Sequence, residues 1–411
     1  MPFAAAMSEH PVTAHAVGEA AGSVLEQIGA CPDLVMVFVT TAHAGALEDA
    51  AAAIESILAP TAVIGCAAES VVGPHREVER TQAVSVFAAR TGPLLPVVLQ
   101  TTASPDGLTV TGWPDPLAFE PQCLILLADP FSFAAGAFLE WMEVRHPGIP
   151  VTGAMASGAA GPGGNRMSVG PVVRHSGAVG VVLGPGADVR TVVSQGCRAF
   201  GQPLVVTRAR DNIIFEMAGT PALARLVEHA STTLTAREVD VLEHGGLHLG
   251  RVVDEHRAEL GRGDFLMRSV LGGDRSNGAI AVSDAVPVGT TVQFHLRDAH
   301  TAHEDLHGAL RDARADGALL FTCNGRGTRL FAEPHHDVTV VAEQVGTVPL
   351  AGCFASGELG PVGGRNFVHG LTASVVLFTD PPVTDPLAHP DANPDANPDD
   401  CGGVDGVRFS S

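Results

Sequence analysis

The stretch LAGCFASGELGPVGGRNFVHG, residues 350–370, is rich in glycine and lies between two apolar segments. Two earlier stretches follow the same pattern, VIGCAAESVVGPHREVE at residues 63–79 and VTGAMASGAAGPGGNRM at residues 151–167. The three align without gaps, and in each a Gly-Pro pair begins eight residues after the first glycine. Such self-similarity indicates a structural unit that recurs along the chain. The aligned first glycines are Gly65, Gly153 and Gly352.

The sequence around each glycine loop shows the same order of elements. An apolar run of strand length comes first, a helix-like segment follows, the apolar start of the loop forms a second strand, and another apolar run lies beyond. This order predicts an α/β fold with mixed sheets flanked by helices, built from repeated strand-helix-strand-Gly loop-strand units in two pseudo-related halves. The first strands are predicted at 34–40, 123–129 and 317–323, the helices at 45–59, 134–146 and 336–346, and the last strands at 83–89, 178–184 and 372–378.

Composition divides the chain into four parts. We expect a flexible N-terminus over residues 1–23, an N-terminal domain over 24–200 and a C-terminal domain over 201–380. The remaining segment, 381–411, is rich in Pro and Asp and contains a tandem PDAN. Because such a composition cannot bury a core, we expect a disordered tail there.

Charge and hydropathy limit the partners of the protein. The formal net charge is −21, from 24 basic and 45 acidic residues, and no basic cluster offsets it. Nucleic acids and anionic membranes are therefore not expected partners. The sequence shows neither a signal peptide nor an apolar run long enough to span a bilayer, so we expect a cytoplasmic protein.

Residue usage excludes several kinds of chemistry. All of the basic residues are arginines, and the chain has no lysine or tyrosine. A P-loop and a pyridoxal Schiff base both require lysine, so neither is expected, and we expect no other cofactor. The seven cysteines form no CxxC pair, and His335-His336-Asp337 is the only dense histidine cluster. We expect no metal site.

The glycine loops and the strand ends beside them supply the candidate ligand site. Bare loop N–H groups can bind carboxylates or phosphates, and ligands in α/β sheets bind beyond strand carboxyl ends. Arg326 follows a buried strand directly and can present a planar fork to a carboxylate, with Arg365 as a second positive charge. The alternative is structural, since each loop could simply cross between strands at a crowded point. The candidate ligand-binding residues are Asn324, Arg326, Ser356, Glu358, Arg365 and Asn366.

An enzymatic interpretation also remains open. Cys323 could act as a nucleophile with His335 or His336 as its base, as in a cysteine-dependent hydrolase or transferase. A buried, inert thiol is the alternative. Ser356 does not meet the G-x-S-x-G pattern of a nucleophile elbow.

Several long motifs resemble one known family. These are QGCRAFGQPLVVTRARDN, GDFLMRSVLGGDRSNGAIAVSD, FHLRDAHTAHEDL, FTCNGRGTRLF and AGCFASGELGPVGGRNFVHGLTASVVLF. They are similar to the FIST family, with its FIST N and FIST C domains, over about Asp33 to Phe378. The resemblance implies an intracellular sensor for signal transduction that binds small ligands such as amino acids. It assigns no catalytic residues.

We therefore expect a small-ligand-binding sensory protein without catalysis, whose ligand is an amino acid or another small carboxylate. No kinase, cyclase or PAS segment is recognisable, so a signal would pass through a downstream protein or through self-assembly. On this view, Arg326→Ala abolishes ligand-induced stabilisation and leaves the fold intact. A scaffold that makes only protein contacts is a third possibility.

Overall fold

The computed structural model of the chain describes residues 2–104, 107–186, 188–257 and 259–380. The predicted disordered tail, 381–411, lies outside these residues. The helices are α1 (Thr13–Ile28), α2 (Leu47–Leu58), α3 (Ala135–Arg145), α4 (Ala222–Thr233), α5 (Ala236–Val241), α6 (Ala299–Ala309) and α7 (His336–Val345).

Strands form most of the regular structure. They are β1 (Phe3–Ser8), β2 (Leu34–Thr40), β3 (Ala62–Ala68), β4 (Ser70–Val72), β5 (Glu77–Glu79), β6 (Val84–Ala89), β7 (Leu94–Ser104), β8 (Gly107–Thr111), β9 (Cys123–Ala128), β10 (Val151–Met155), β11 (Met167–Val169), β12 (Val172–Arg174), β13 (Ala178–Leu183), β14 (Asp188–Ser194), β15 (Arg198–Arg210), β16 (Ile213–Met217), β17 (Thr220–Pro221), β18 (Leu247–Val252), β19 (Phe265–Asp274), β20 (Ala279–Val282), β21 (Thr291–Leu296), β22 (Gly317–Cys323), β23 (Leu350–Ala355), β24 (Glu358–Val362), β25 (Arg365–His369) and β26 (Ala373–Thr379).

Three of the sheets share one plan. Each contains a parallel pair of strands with a helix between them in the chain, and an antiparallel strand beside the first member of the pair. The predicted α/β class with mixed sheets and flanking helices is therefore confirmed. The prediction of two related halves is not. The parallel pairs are β2–β3, β9–β10 and β22–β23, and their antiparallel neighbours are β6, β13 and β26.

The hairpin that follows each parallel pair joins a different sheet. The β4–β5 hairpin adds to β23, the β11–β12 hairpin adds to β3, and the β24–β25 hairpin adds to β10. Each of the three sheets therefore receives a hairpin from one of the other two and provides a hairpin to the remaining one. This cyclic exchange of hairpins joins the three sheets through backbone hydrogen bonds. The strand orders are β1-β6-β2-β3-β11-β12 in the first sheet, β25-β24-β10-β9-β13-β7-β8 in the second and β14-β26-β22-β23-β4-β5 in the third.

Each aligned glycine lies on the strand that pairs with an incoming hairpin, at a position where the two backbones are paired. Gly65 pairs with Ser168 of the hairpin on the first sheet, and Gly153 pairs with Leu359 of the hairpin on the second. A Cβ on Gly153 would lie 1.9 Å from the Leu126 carbonyl oxygen, and its φ is +135°. Only glycine accommodates both this conformation and this closeness of backbones. The glycine pattern therefore has a structural cause at these positions.

The three sheets enclose one apolar core. Phe38 of the first sheet, Ile125 of the second and Phe321 of the third belong to the same buried cluster. Helices cover the outer faces, α1 and α2 on the first sheet, α3 on the second, and α6 and α7 on the third. Since both faces are covered, the strands are continuous apolar runs and not alternating ones.

A fourth sheet is closed on itself. Its strands follow the order β15-β21-β18-β19-β20-β16, and β15 also pairs with β16. It has its own apolar interior, which includes Phe200 and Phe294, and helix α4 packs against it. This unit lies beside the third sheet, where β15 continues the chain after β14.

The beginning of the chain differs from the flexible segment expected over residues 1–23. Strand β1 pairs with β6 over Phe3 to Ser8, and α1 buries one apolar face on the first sheet. The contributing side chains, Ala16, Val17 and Val24 among them, are small and show a weak sequence signal. Burial of this face stabilises the segment.

Candidate functional site

Segments of all three units meet at one end of the molecule, beyond the carboxyl ends of the parallel strands. The Ser157 hydroxyl donates to the Phe354 carbonyl (2.6 Å) and accepts from the Glu69 N–H (3.0 Å). The Ser356 N–H donates to the Met155 carbonyl (3.0 Å). The glycine loops thus form one connected end surface, which the chain segment after β22 also joins.

A buried ion pair lies directly behind that surface. The Arg326 side chain is 0% exposed, and its Nε and Nη2 donate to Asp337 Oδ2 and Oδ1 at 2.8 and 2.7 Å. The Thr322 hydroxyl donates to the same carboxylate at 2.6 Å. Burial alone would raise the pKa of Asp337, but the Arg326 charge and these hydrogen bonds hold that pKa well below its ordinary value. The Arg326 fork is therefore already occupied by an internal carboxylate.

Five buried polar atoms around this pair have no hydrogen-bonding partner within the described part of the chain. One of them, Glu77 Oε2, belongs to β5 and lies on the Asp337 side of the pair. Since buried polar groups are nearly always satisfied, such atoms are candidate contacts for a ligand or water. The other four, two donors and two acceptors, are Arg297 Nε, Arg326 Nη1, Asn324 Oδ1 and Glu358 Oε1.

Charge interactions around the Cys323 thiol show that Arg297, Arg326 and Glu358 are neighbours, and Asn324 follows Cys323 in the chain. Burial, followed by the charge of Glu358, raises the pKa of Cys323 to about 12, and the charge of Arg297 opposes that rise. The charge of Arg326 also acts on both Arg297 and Glu358. We call Arg297, Cys323, Asn324, Arg326 and Glu358 the strand-end cluster, because Cys323 is the last residue of β22.

Glu358 supplies the acidic side of the strand-end cluster. It is 0% exposed, and its Oε2 accepts from the N–H and the hydroxyl of Thr372 at 3.1 and 2.7 Å. Burial raises its pKa to about 8, against the effect of the Thr372 bonds. The carboxyl group is therefore mostly protonated at neutral pH and ionises when a cation comes close.

Arg297 supplies a second positive charge, which is also largely buried. Its Nη2 donates to the Leu371 carbonyl at 3.2 Å, and its exposed fraction is 9%. The neighbouring Asp298 does not pair with it but caps α6 by accepting from the Thr301 N–H. Burial and the charge of Arg326 lower the pKa of Arg297. Arg297 is thus a buried cation that a neighbouring cation, Arg326, repels, and this arrangement favours an incoming anion.

The other candidate ligand residues are placed differently. Ser356 is exposed at the end surface, and Asn366 uses its side-chain amide to bind the backbone of Val151 and Ile149. Arg365 is exposed and stacks on Phe367. In the β24–β25 hairpin, Glu358 pairs with His369 and Val362 with Arg365. Arg365 therefore lies four residues along the strand from Glu358, roughly 13 Å away.

The proposed catalytic residues do not come together. The Cys323 sulfur accepts from the Gly325 N–H, and no hydrogen bond joins it to either histidine among the described residues. His335 Nδ1 accepts from the Glu77 N–H. His336 hydrogen-bonds to Asp337 and stacks on Phe331 at 3.4 Å. With a pKa near 12 the thiol is protonated at neutral pH, which is the opposite of what a nucleophile requires.

The β4–β5 hairpin contributes acidic residues that the sequence interpretation did not single out. Glu77 is buried, and its Oε1 accepts from the N–H groups of Asp337 and Val338 at the start of α7. Glu79 accepts from the N–H and the hydroxyl of Thr328 at 2.8 and 2.6 Å. The hairpin therefore fixes both ends of the segment 328–337, which connects Arg326 to its partner Asp337. The only sequence feature that indicates this role of the hairpin is the alternation of Glu77 and Glu79 in HREVE, residues 75–79.

A cavity of about 390 Å³ lies on the other side of the Gly196–Cys197 segment from Arg326. A Cβ on Gly196 would lie 3.2 Å from Arg326 Nη1, and Cys197 lines the cavity. The cavity separates α6 from the closed sheet. No group of three or more metal-ligating side chains is found among the residues described, and no described helix is long and apolar enough to cross a membrane.

Comparisons with known proteins give consistent results. The model of the FIST N domain matches residues 33–220, and that of the FIST C domain matches residues 222–361. Uncharacterized protein Rv0628c of Mycobacterium tuberculosis (strain H37Rv) is 40% identical over 388 residues, 92% of this chain and 100% of that protein. Uncharacterized protein Mb0898c of Mycobacterium bovis is 40% identical over 378 residues, 90% of this chain and 97% of that protein.

Proposed function

Because this chain belongs to the FIST family, whose domains are associated with sensory ligand binding and signal transduction, we propose that it senses a small zwitterionic ligand of the amino-acid type. The ligand binds at the strand-end cluster. The protein acts in the cytoplasm and passes its signal to a downstream protein. No catalytic step is part of this proposal.

The observation that carries the proposal is the set of unpartnered buried atoms. A carboxylate needs donors, and Arg297 Nε and Arg326 Nη1 are free donors on positive groups. An ammonium needs acceptors. Asn324 Oδ1 is one, and Glu358 Oε1 becomes another when the approaching ammonium ionises the carboxyl group. An α-amino acid presents these two groups side by side. Charge-assisted hydrogen bonds to both would satisfy all four atoms.

In this proposal the ligand enters past Arg297, Cys323 and Asn324, the less deeply buried members of the cluster. Arg297 and Cys323 are 9% and 8% exposed, and Asn324 is half-buried, whereas Arg326 and Glu358 are fully buried behind them. On a protein of net charge −21, Arg297 and Arg326 together provide a local positive site for the carboxylate.

The test begins with a thermal-shift screen of the purified full chain against amino acids and small organic acids, followed by calorimetry on any compound that raises Tm. Arg297→Gln removes the positive charge that is not paired with Asp337, while preserving much of the side chain. We expect the affinity to fall at least tenfold, because hydrogen bonds to charged groups contribute about 1.5–3 kcal/mol. Asp337 keeps Arg326 as its partner in this variant, so the fold should persist.

Arg365→Gln is the matched control, since it removes an exposed arginine roughly 13 Å from Glu358 along the hairpin. It should bind as the unmodified protein does. The proposal fails if no compound in the screen raises Tm, or if Arg297→Gln and Arg365→Gln bind equally well.

A further inference from the structure

The cavity of about 390 Å³ has a wall that is mostly apolar. Leu260, Phe265 and Met267 line one side, and Val193 and Ala309 line the other. Phe265 and Met267 belong to a small buried cluster together with Cys197. A cavity of this size, at the junction of two packed units, has the usual dimensions of a small-molecule site.

The shape of the cavity is fixed by hydrogen bonds that belong to its own wall. The Gln195 side chain donates to the Phe265 carbonyl at 2.6 Å and accepts from the Met267 N–H at 3.0 Å. Both polar atoms of the Gln195 side chain are therefore already hydrogen-bonded within the protein. Asp305 Oδ2 likewise accepts from the Ser194 hydroxyl and the Gly196 N–H, both at 2.8 Å. The walls are preformed, and little of their polarity is free for a ligand.

One polar group remains available inside. His295 lines the cavity, and its Nδ1 hydrogen-bonds to the Gln293 carbonyl at 3.1 Å, so Nδ1 carries the proton. Burial lowers the pKa of His295 to about 4, which keeps the ring neutral. Nε2 is then an acceptor, and it forms no hydrogen bond within the described part of the chain. The ring also meets Phe265 edge-on, with centroids 4.9 Å apart.

The charges at the rim compensate one another. Arg262 Nε lies 3.6 Å from Asp305 Oδ1, and Arg262 Nη1 donates to the Glu304 carbonyl. Arg198 is paired with Glu238. A strongly charged ligand would therefore meet both signs at the entrance and a mostly apolar wall inside.

We propose that this cavity is a second binding site, distinct from the strand-end cluster, for a small uncharged aromatic molecule with one hydroxyl or N–H group. The aromatic body packs against Phe265, Met267 and Leu260, where ring–ring and sulfur–ring contacts are favourable. The hydroxyl or N–H group donates to His295 Nε2. The Gly196–Cys197 segment separates this ligand from Arg326.

Phenol and toluene are the probes, because they share a ring and differ in the donor. We expect saturation-transfer NMR and calorimetry on the full chain to show that phenol binds about three- to tenfold more tightly than toluene, the usual range for one neutral hydrogen bond. Ala309→Phe fills the cavity from α6 and should abolish binding of both. His300→Phe adds the same ring to the exposed face of the same helix and should leave binding unchanged.

The two sites can be tested apart. Arg297→Gln should leave phenol binding intact while weakening any amino-acid ligand. Equal or stronger binding of toluene overturns the role of His295, and this comparison needs no variant. The second site itself is overturned if phenol shows no binding up to its solubility limit, or if Ala309→Phe binds phenol as well as His300→Phe does.

Discussion

Arg326 and Asp337 show how strongly a single pair can depend on its surroundings. Both side chains are buried to within 1% of complete, and each satisfies most of the other's polar atoms. Removal of one partner leaves an uncompensated charge in the interior. We therefore expect Arg326→Ala to lower the free energy of unfolding by about 3–5 kcal/mol in urea titrations. The sequence-based expectation of an intact fold in this variant did not take Asp337 into account.

The double variant Arg326→Met with Asp337→Leu provides the comparison. It removes both charges and keeps apolar volume, so most of the stability should return. Arg365→Ala, at an exposed site, should change the free energy of unfolding by less than about 0.5 kcal/mol. Equal stability of Arg326→Ala and the unmodified protein would contradict the buried-pair interpretation.

Buried histidines and glutamates give stability a pH optimum. Burial lowers the pKa of His248, His295 and His369 from 6.5 to about 4, so the unfolded chain binds more protons there and stability rises with pH up to about 6.5. Burial raises the pKa of Glu77 and Glu358 from 4.5 to about 8, so the folded chain binds more protons and stability falls as pH rises. Between about pH 4.5 and 6.5 the three histidines raise the free energy of unfolding with pH more than the two glutamates lower it. Above about pH 6.5 only the two glutamates still change it.

We therefore expect the free energy of unfolding to be highest near pH 6.5 and to decline on both sides, as measured by urea titration across the range. Glu358→Gln removes one of the two glutamates and should halve the decline between about pH 6.5 and 8. A steady rise through pH 8 in the unmodified protein would be inconsistent with buried, protonated glutamates.

Part of the site could be predicted from single residues. Asn324, Arg326 and Glu358 were singled out because they follow strands or lie in the glycine loop, and all three belong to the strand-end cluster. The burial of Arg326 could not be predicted, since its partner is eleven residues away and neither residue type indicates depth. Glu77 was not predicted either, because its position depends on a hairpin that pairs with a distant strand.

Among the elements, the β4–β5 hairpin and the residue before it hold the turn that directly follows Arg326. Glu79 holds Thr328, and Glu69, just before β4, binds Arg329 at 2.7 Å. Glu79→Ala removes two hydrogen bonds to Thr328, and we expect a loss of about 1–3 kcal/mol in the free energy of unfolding. Hydrogen exchange of the backbone amides at residues 324–330 should become faster.

Glu9→Ala is the control for that variant, because the ion pair of Glu9 with Arg76 is largely exposed and should contribute little. If Glu79→Ala and Glu9→Ala give the same stability and the same exchange rates, the hairpin does not clamp the segment.

The local pattern of apolar residues predicts the strands and helices, but it does not predict the exchange of hairpins between sheets. The runs at 34–40 and 317–323 are apolar apart from Thr40 and Thr322, and they form β2 and β22 at those bounds. The exchange depends on register between distant strands, such as Val71 of β4 with Cys353 of β23. No short-range pattern encodes that pairing, because any apolar strand of three residues could meet several partners.

At the scale of the molecule, the exchanged hairpins make the two predicted domains, 24–200 and 201–380, depend on each other. The third sheet contains β4, β5 and β14 from the first range, and the second sheet contains β24 and β25 from the second. We expect fragments 1–200 and 201–380, expressed separately, to show no cooperative thermal transition. Co-expression should yield a complex that melts as one unit.

The full chain melted under the same conditions serves as the reference for the fragments. Independent, cooperative melting of either fragment would show that its own sheets suffice without the exchanged hairpins.

The cyclic exchange also bears on how such proteins can diversify. The two family models divide at residues 220–222, yet backbone pairing crosses that division in both directions. A gene that retained only one of the two parts would encode a polypeptide whose exchanged hairpins lack the strands they pair with. Its sheets would also have open edges. Its product would have to pair with hairpins of another molecule. We therefore expect shortened relatives to form assemblies that exchange hairpins between molecules, and not smaller monomers.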